Sequence, residues 1–234
     1  MDYHSRYGLE FNPFIKNARE ECLVETNECK EVNARLKYLL NNKGFGLITG
    51  GPGRGKTTII RNWSRSLNTQ LYKVVYLSLS TITVIEFYRQ LAFGLGIEPA
   101  FRKSDNFKMI QEVIQRYEIE KKRTPVIILD EANYMHNSIL NDIKMIFNFD
   151  MDARDRAIVM FVGLPVMTNT LRLNIHEPLR QRITMNYQLE GLRKNETKQY
   201  INKKLQSAKC QLEIFNEEAI EAIANAANGV ARVV

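Results

Sequence analysis

Residues 46–63 read GLITGGPGRGKTTIIRNW, and the fold follows from how this stretch is read. Gly50, Gly55, Lys56 and Thr57 fit the pattern GxxxxGK[ST], with an apolar run before it and a helical pattern after it. Glycines let the backbone close around phosphate oxygens so that N–H groups point inward, and the helix start adds the positive end of its dipole. Gly50, Gly51, Pro52, Gly53, Arg54, Gly55, Lys56, Thr57 and Thr58 are therefore expected to cradle nucleotide phosphates. Lys56 would reach the β- and γ-phosphates and Thr57 would ligate Mg²⁺, so ATP and Mg²⁺ are the expected cofactors.

A second signal lies about 75 residues downstream, where the apolar run PVIILDE (125–131) ends in Asp130 and Glu131. A strand that closes on two acids places them at the carboxyl edge of a sheet, where ligands bind in α/β folds. Asp130 would hold Mg²⁺ through water, and Glu131 would orient or deprotonate the attacking water. The other apolar runs are GFGLIT, YKVVYLSL (72–79), AIVMFVG (157–163) and ITMNYQL (183–189). Helical spacing covers 27–41, Lys56 to about Leu67, 83–95, 105–120 behind a Ser104 cap, and 138–149. Strands alternating with helices predict a parallel sheet covered by helices. From Gly191 the pattern changes to two helices without a strand, NETKQYINKKLQSA and NEEAIEAIANAA, and GVARVV starts as if entering another helix. The expected division is an N-terminal extension 1–26, a nucleotide-binding core 27–190 and an incomplete helical lid 191–234.

Composition narrows the class. The 234 residues carry 33 basic and 26 acidic side chains, a formal charge of +7, which favours an anionic partner. The excess is uneven: residues 151–210 hold 11 basic and 5 acidic side chains, whereas 211–234 hold one arginine and four glutamates. Cys22, Cys29 and Cys210 contain no CxxC pair, which speaks against a disulfide scaffold or a zinc ribbon. The longest nearly apolar run, AIVMFVGLPVM, is far short of the roughly 20 residues that span a bilayer. With no secretory leader pattern, a soluble cytoplasmic chain is expected. In LRQRI (179–183), Arg180 or Arg182 could complete a neighbouring subunit's nucleotide site, or the two could be a surface pair. Arg232 in GVAR is a further candidate for a phosphate contact.

Taken together, the phosphate loop, VIILDE, LRQRI and a C-terminal helical piece with GxxR resemble an AAA+ ATPase from about residue 27 onward. More narrowly, YGLEFNPF followed by GFGLITGGPGRGKTT and ILDEA resembles the ExeA-like group, which includes secretion ATPases and DNA-transposition regulators of the MuB/TnsC type. The resemblance implies an α/β three-layer sandwich, with a five-stranded parallel sheet of order 5-1-4-3-2 and a C-terminal α-helical lid. It implies Arg182 as arginine finger with Arg180 second, Arg232 as the lid's sensor arginine, NPF near the adenine, and Ser78 or Ser80 as a restraint on Glu131. One departure stands out. Such proteins carry a polar sensor residue at the end of the fourth strand, where this chain has Gly163 and Leu164 in FVGLP. Thr168 or Asn169 is the expected substitute, and slow hydrolysis is expected, as in a timing switch.

The expected partners are duplex DNA bound without sequence preference, a transposase, and further copies of the chain in a ring or helical filament, with no membrane. Phosphate contacts of that kind need lysines and arginines rather than base readout. The candidates are Arg89, Arg102, Lys103, Lys121, Lys122 and Arg123. The alternatives are an ATPase for secretion or envelope assembly and a phage or plasmid replication loader.

Overall fold

The computed structural model describes residues 6–15, 24, 26–78, 82–150 and 154–234. Ser80 and Cys22 lie outside them. By their contacts these residues form two units, one of 32–50 and 56–188 and a smaller one of 1–31, 51–55 and 189–234.

In chain order the elements are α1 (Asn27–Asn42), β1 (Gly44–Gly50), α2 (Lys56–Ser66), β2 (Tyr72–Ser78), α3 (Val84–Leu95), α4 (Lys103–Ile119) and β3 (Thr124–Asp130). They continue with α5 (Asn137–Ile146), β4 (Ile158–Gly163), α6 (Val166–Arg172), α7 (Glu177–Arg180), β5 (Ile183–Leu189), α8 (Lys194–Ser207) and α9 (Glu217–Ala227). The sheet runs β2-β3-β4-β1-β5, the order that the resemblance implied. β1 pairs with β4, β4 with β3, and β3 with β2, all in parallel.

Burial explains that order. β1 and β4 are buried at every residue and β3 at all but its first, as required of strands covered on both faces. β2 and β5 alternate between buried and exposed positions, as edge strands do. Phe45, Leu47, Ile127, Leu129, Val159 and Phe161 join residues of α3, α4, α5 and α6 in one core cluster. The alternate residues Ile48, Ile158, Met160 and Val162 are equally buried on the other face. At the N-terminal end of α3, Thr83 and Glu86 form a reciprocal capping box, and Gly96 ends the helix in the left-handed conformation.

Several boundaries differ from the sequence expectation. α4 starts at Lys103 behind Arg102, so Ser104 lies inside the helix, where its hydroxyl bonds Asp105 instead of capping. α5 stops at Ile146, three residues early, and at its end Arg182 binds the carbonyls of Lys144 and Phe147 while Gln111 binds that of Ile146. GVARVV forms a turn, closed by Val233 N–H donating to the Val230 carbonyl at 2.9 Å, and not a new helix.

In the smaller unit, α8 and α9 bury Ile201, Leu205 and Ile220 against Leu9, Cys210, Ile214, Phe215 and Ile223. The N-terminal stretch belongs to this cluster, since Glu10 N–H donates to the Ala208 carbonyl at 3.0 Å. Among the described residues no helix is long and apolar enough to cross a membrane.

Candidate nucleotide site

The loop after β1 turns through Gly53 and Gly55 at φ +73° and +91°, a left-handed conformation that a side chain would strain. Lys56 opens α2 with its side chain buried, and its Nζ donates to the Gly50 carbonyl at 2.8 Å. That carbonyl holds the ammonium at the start of the loop, where anionic oxygens are expected. Thr57 follows half-buried, and Thr58 is exposed.

Asp130 ends β3 almost fully buried, and each of its oxygens is engaged. Oδ1 accepts the N–H of Glu131 at 2.9 Å. Oδ2 accepts the Tyr76 hydroxyl at 2.7 Å and the Thr57 hydroxyl at 3.3 Å. A threonine hydroxyl and a carboxylate that already touch make a hard oxygen pair suited to Mg²⁺, which prefers a few such donors plus phosphate oxygens to an all-protein cage. Among the described residues no group of three or more His, Cys, Asp or Glu side chains could hold a metal alone. Tyr76 was not anticipated from the sequence. Its phenol is pushed up to about 12 by burial, reinforced by the hydrogen bond to Asp130 and its charge, so it stays a donor at neutral pH. Ser78 lies opposite Asp130 in the β2–β3 register and is exposed.

Glu131 leaves the strand at φ 57°, ψ 33°, an unusual conformation for a residue with a side chain. Such outliers cost on the order of 1–3 kcal/mol and cluster at functional sites. A short 3₁₀ turn, Ala132–Tyr134, follows it.

The smaller unit holds a cluster of its own. Gly51–Gly55 and the GVAR stretch lie together there, since a Cβ on Gly53 would meet Val230 at 2.7 Å and the Arg232 Cβ at 3.2 Å. Arg54 donates to the Glu190 carbonyl. Glu28 accepts the N–H groups of Glu190 and Gly191 at 2.6 and 3.2 Å. Burial raises the Glu28 carboxyl, against those two hydrogen bonds, which lower it. Arg232 is exposed, Pro13 of the NPF stretch is buried and Phe14 is exposed.

The two arginines of LRQRI part company. Arg182 is 13% exposed and bound on three sides: to the Lys144 and Phe147 carbonyls at 3.1 and 2.9 Å, and to Asp155 at 3.0 Å. Its guanidinium also lies 4.6 Å from the Phe45 ring centroid. Arg180 is 43% exposed, reaches the Arg172 carbonyl at 3.2 Å and pairs loosely with Glu177 at 3.7 Å. The resemblance ranked Arg182 first, whereas the geometry leaves Arg180 as the guanidinium able to reach outward. Thr168 lines a cavity with Leu47, Leu171, Arg172 and Arg180, and Asn169 is exposed.

The six basic candidates for DNA contact fall in two groups near opposite ends of α4. Arg89 and Arg102 flank the highly exposed Phe101, with Arg89 5.8 Å from its ring, and Lys103 is tied to Asp142 at 2.7 Å. Lys121, Lys122 and Arg123 follow the other end of the 17-residue α4, about 25 Å away at the helical rise of about 1.5 Å per residue. There Arg123 donates to the Thr69 and Tyr72 carbonyls and ties β2 to the start of β3.

Comparison with known proteins gives the same outline. A family model described as "AAA domain" matches residues 39–171. General secretion pathway protein A of Aeromonas hydrophila is 25% identical over 236 residues, covering 99% of this chain and 43% of that protein. The ATP-dependent target DNA activator B of Escherichia phage Mu is 24% identical over 123 residues, covering 53% of this chain and 37% of that protein. This chain thus spans less than half the length of either relative. In fold, it is similar to the ORC2 protein of Aeropyrum pernix in its ADPNP–ADP complexes, with a TM-score of 0.69 at 16% identity over 95% of this chain and 64% of that one. Cdc6p of Pyrobaculum aerophilum also gives 0.69, at 17% identity over 94% of this chain and 62% of that one.

Proposed function

This chain belongs to the AAA domain family, and from that premise we propose that it is an ATP-hydrolysing switch that assembles on duplex DNA and recruits or activates a transposase. Hydrolysis would then dissolve the assembly. The observation that carries the ATPase part is the cluster of Thr57 and Tyr76 on the buried Asp130, with Lys56 on one side of it in sequence and the strained Glu131 on the other. Gly50–Thr58 wraps the phosphates of ATP, and Lys56 turns from the Gly50 carbonyl to them. Thr57 and, through water, Asp130 would hold Mg²⁺, which when bound would offset charge on the phosphate oxygens. Glu131 aligns the attacking water and accepts its proton. Arg232 adds a phosphate contact from the GVAR turn, and Arg180 reaches the site of a neighbouring copy.

The DNA part rests on the similarity to the phage activator and on the basic balance of the chain. Arg89, Arg102, Lys121 and Lys122 are the proposed phosphate contacts among the six, because Lys103 has an ion pair and Arg123 has hydrogen bonds within the fold. A second reading, an ATPase serving a secretion or envelope complex, draws on the longer match to the secretion-pathway protein.

Negative-stain microscopy and sedimentation with duplex DNA separate the two, comparing a non-hydrolysable ATP analogue with ADP at low and moderate salt. Rings or filaments on DNA with the analogue alone are expected. Absence of DNA association with either nucleotide would refute the DNA reading and favour the secretion one.

A further inference from the structure

β4 ends between two pieces of chemistry. Through Thr49 and Gly163 it pairs with β1, which leads into the phosphate loop. Through Phe161 and Leu129 it pairs with β3, which delivers Asp130 and Glu131. A side chain at the end of β4 would stand between phosphate and attacking water, yet the residue there is Gly163.

Another residue takes up the space. A Cβ built on Gly163 would lie 2.8 Å from Asn133 Oδ1, closer than real Cβ atoms come, and 3.2 Å from the Asn133 backbone nitrogen, tighter than most such contacts. Asn133 belongs to the 3₁₀ turn two residues after Glu131. Its Oδ1 accepts the Leu164 N–H at 2.9 Å, which fixes the carboxamide with its oxygen on the β4 end. The Nδ2 amine is then the end left over, and among the described residues no protein acceptor takes it up. An amide donor held in place needs no reorganisation to meet an anionic oxygen, and hydrogen bonds to charged acceptors are the strong ones.

We propose that Asn133 stands in for the missing β4 side chain, its Nδ2 donating to a γ-phosphate oxygen of bound ATP. This rests on the reading of the site as an ATP site. Glycine at 163 is then a requirement, because any larger residue would push the carboxamide away. Sharing one short turn with Glu131, Asn133 also ties the position of the water-handling carboxylate to the presence of the γ-phosphate.

The test measures affinity for adenylyl-imidodiphosphate and for ADP by calorimetry, alongside steady-state turnover. Asn133→Asp keeps the shape and an oxygen for the Leu164 N–H, but turns an anionic oxygen toward the phosphate. Asn133→Ala removes both ends, and Gly163→Ala displaces the carboxamide. Expected for all three is ADP affinity within about twofold of wild type and an analogue-over-ADP preference reduced about tenfold or more, with turnover falling in step. Asn133→Asp with the wild-type preference and turnover would overturn the proposal and leave Asn133 as a holder of the turn. Equal losses of ADP and analogue affinity would do the same. A wild-type protein that binds neither nucleotide would instead remove the ATP-site reading, and this inference with it.

Discussion

Replacing Arg182 by alanine should unfold the protein more easily without being what disables a neighbour's ATP site. The guanidinium supplies two donors to the last carbonyls of α5, at 3.1 and 2.9 Å, where a cation also suits the helix dipole. Hydrogen bonds from a charged group contribute about 1.5–3 kcal/mol each. Contact with the Phe45 ring adds about 0.5–2 kcal/mol. The pair with Asp155, itself 37% exposed, adds under about 1 kcal/mol once water screens it. These terms share one side chain and do not sum, so a loss of about 3 kcal/mol is expected for Arg182→Ala. At about 2–4 °C per kcal/mol for a chain of this size, the melting temperature should fall by about 6–12 °C. Arg180→Ala, at a half-exposed site, should change stability by less than about 0.5 kcal/mol. Its assemblies should instead lose turnover by about a thousandfold, at the low end of an arginine finger's worth. Mixing Arg180→Ala with Lys56→Ala subunits should restore turnover, because the hybrid interface joins an intact ATP site to an intact arginine. Calorimetric or circular-dichroism melts and ATPase assays of single and mixed variants read all of this. An Arg182→Ala protein that melts like wild type, hydrolyses no ATP and is rescued by mixing would refute the reasoning and return the finger to Arg182.

Lys56→Ala should abolish nucleotide binding in a fluorescence titration, whereas Glu131→Gln should bind ATP normally, hydrolyse it at least a hundredfold more slowly and accumulate the assembled state; normal turnover in Glu131→Gln would remove Glu131 from the water-handling role. His176 is buried, its Nε2 2.9 Å from Asn137 Oδ1, and burial lowers its pKa below the ordinary value near 6.5. The unfolded chain therefore takes up the proton first as pH falls. Its contribution to stability should be complete above about pH 6.5 and shrink below it until the lower folded value is reached. Urea midpoints between pH 5 and 8 should show this slope, and His176→Gln should flatten it. An equal slope in that variant would assign the pH dependence to other groups. Glu118 acts outside this window, because its contribution falls only below about pH 4.5. Burial works to raise the Glu118 carboxyl, but hydrogen bonds and charge from Lys43 and Arg156 hold it low overall.

What could be read from the sequence, and what could not, divides along the range of the physics involved. The phosphate loop and the Asp130–Glu131 pair are written in consecutive residues, because phosphate binding by a backbone loop and acids at a strand end are local requirements. β1, β3 and β4 showed as unbroken apolar runs since each is buried on both faces, and β5 falls on ITMNYQL without adjustment. α6 and α7 went unread because helices of seven and four residues are too short to show a period. The carbonyls at the early end of α5 are met by Arg182, 35 residues away from Phe147, and by Gln111, and no local pattern announces such partners. Tyr76 meets Asp130 across 54 positions, and Asn133 meets Leu164 across 31. Their roles come from strand order and register, which are settled only when the sheet assembles. Yet one mark of the second contact was visible. Gly163 stands where the resemblance calls for a polar side chain, and a glycine at such a place leaves either a hole or another group in its stead. Close packing disfavours the hole. The segment that fills the space is the turn carrying Glu131, whose Asn133 binds the Leu164 N–H, and the replacement proposed above is therefore a different residue from Thr168 or Asn169, the substitutes expected from the resemblance.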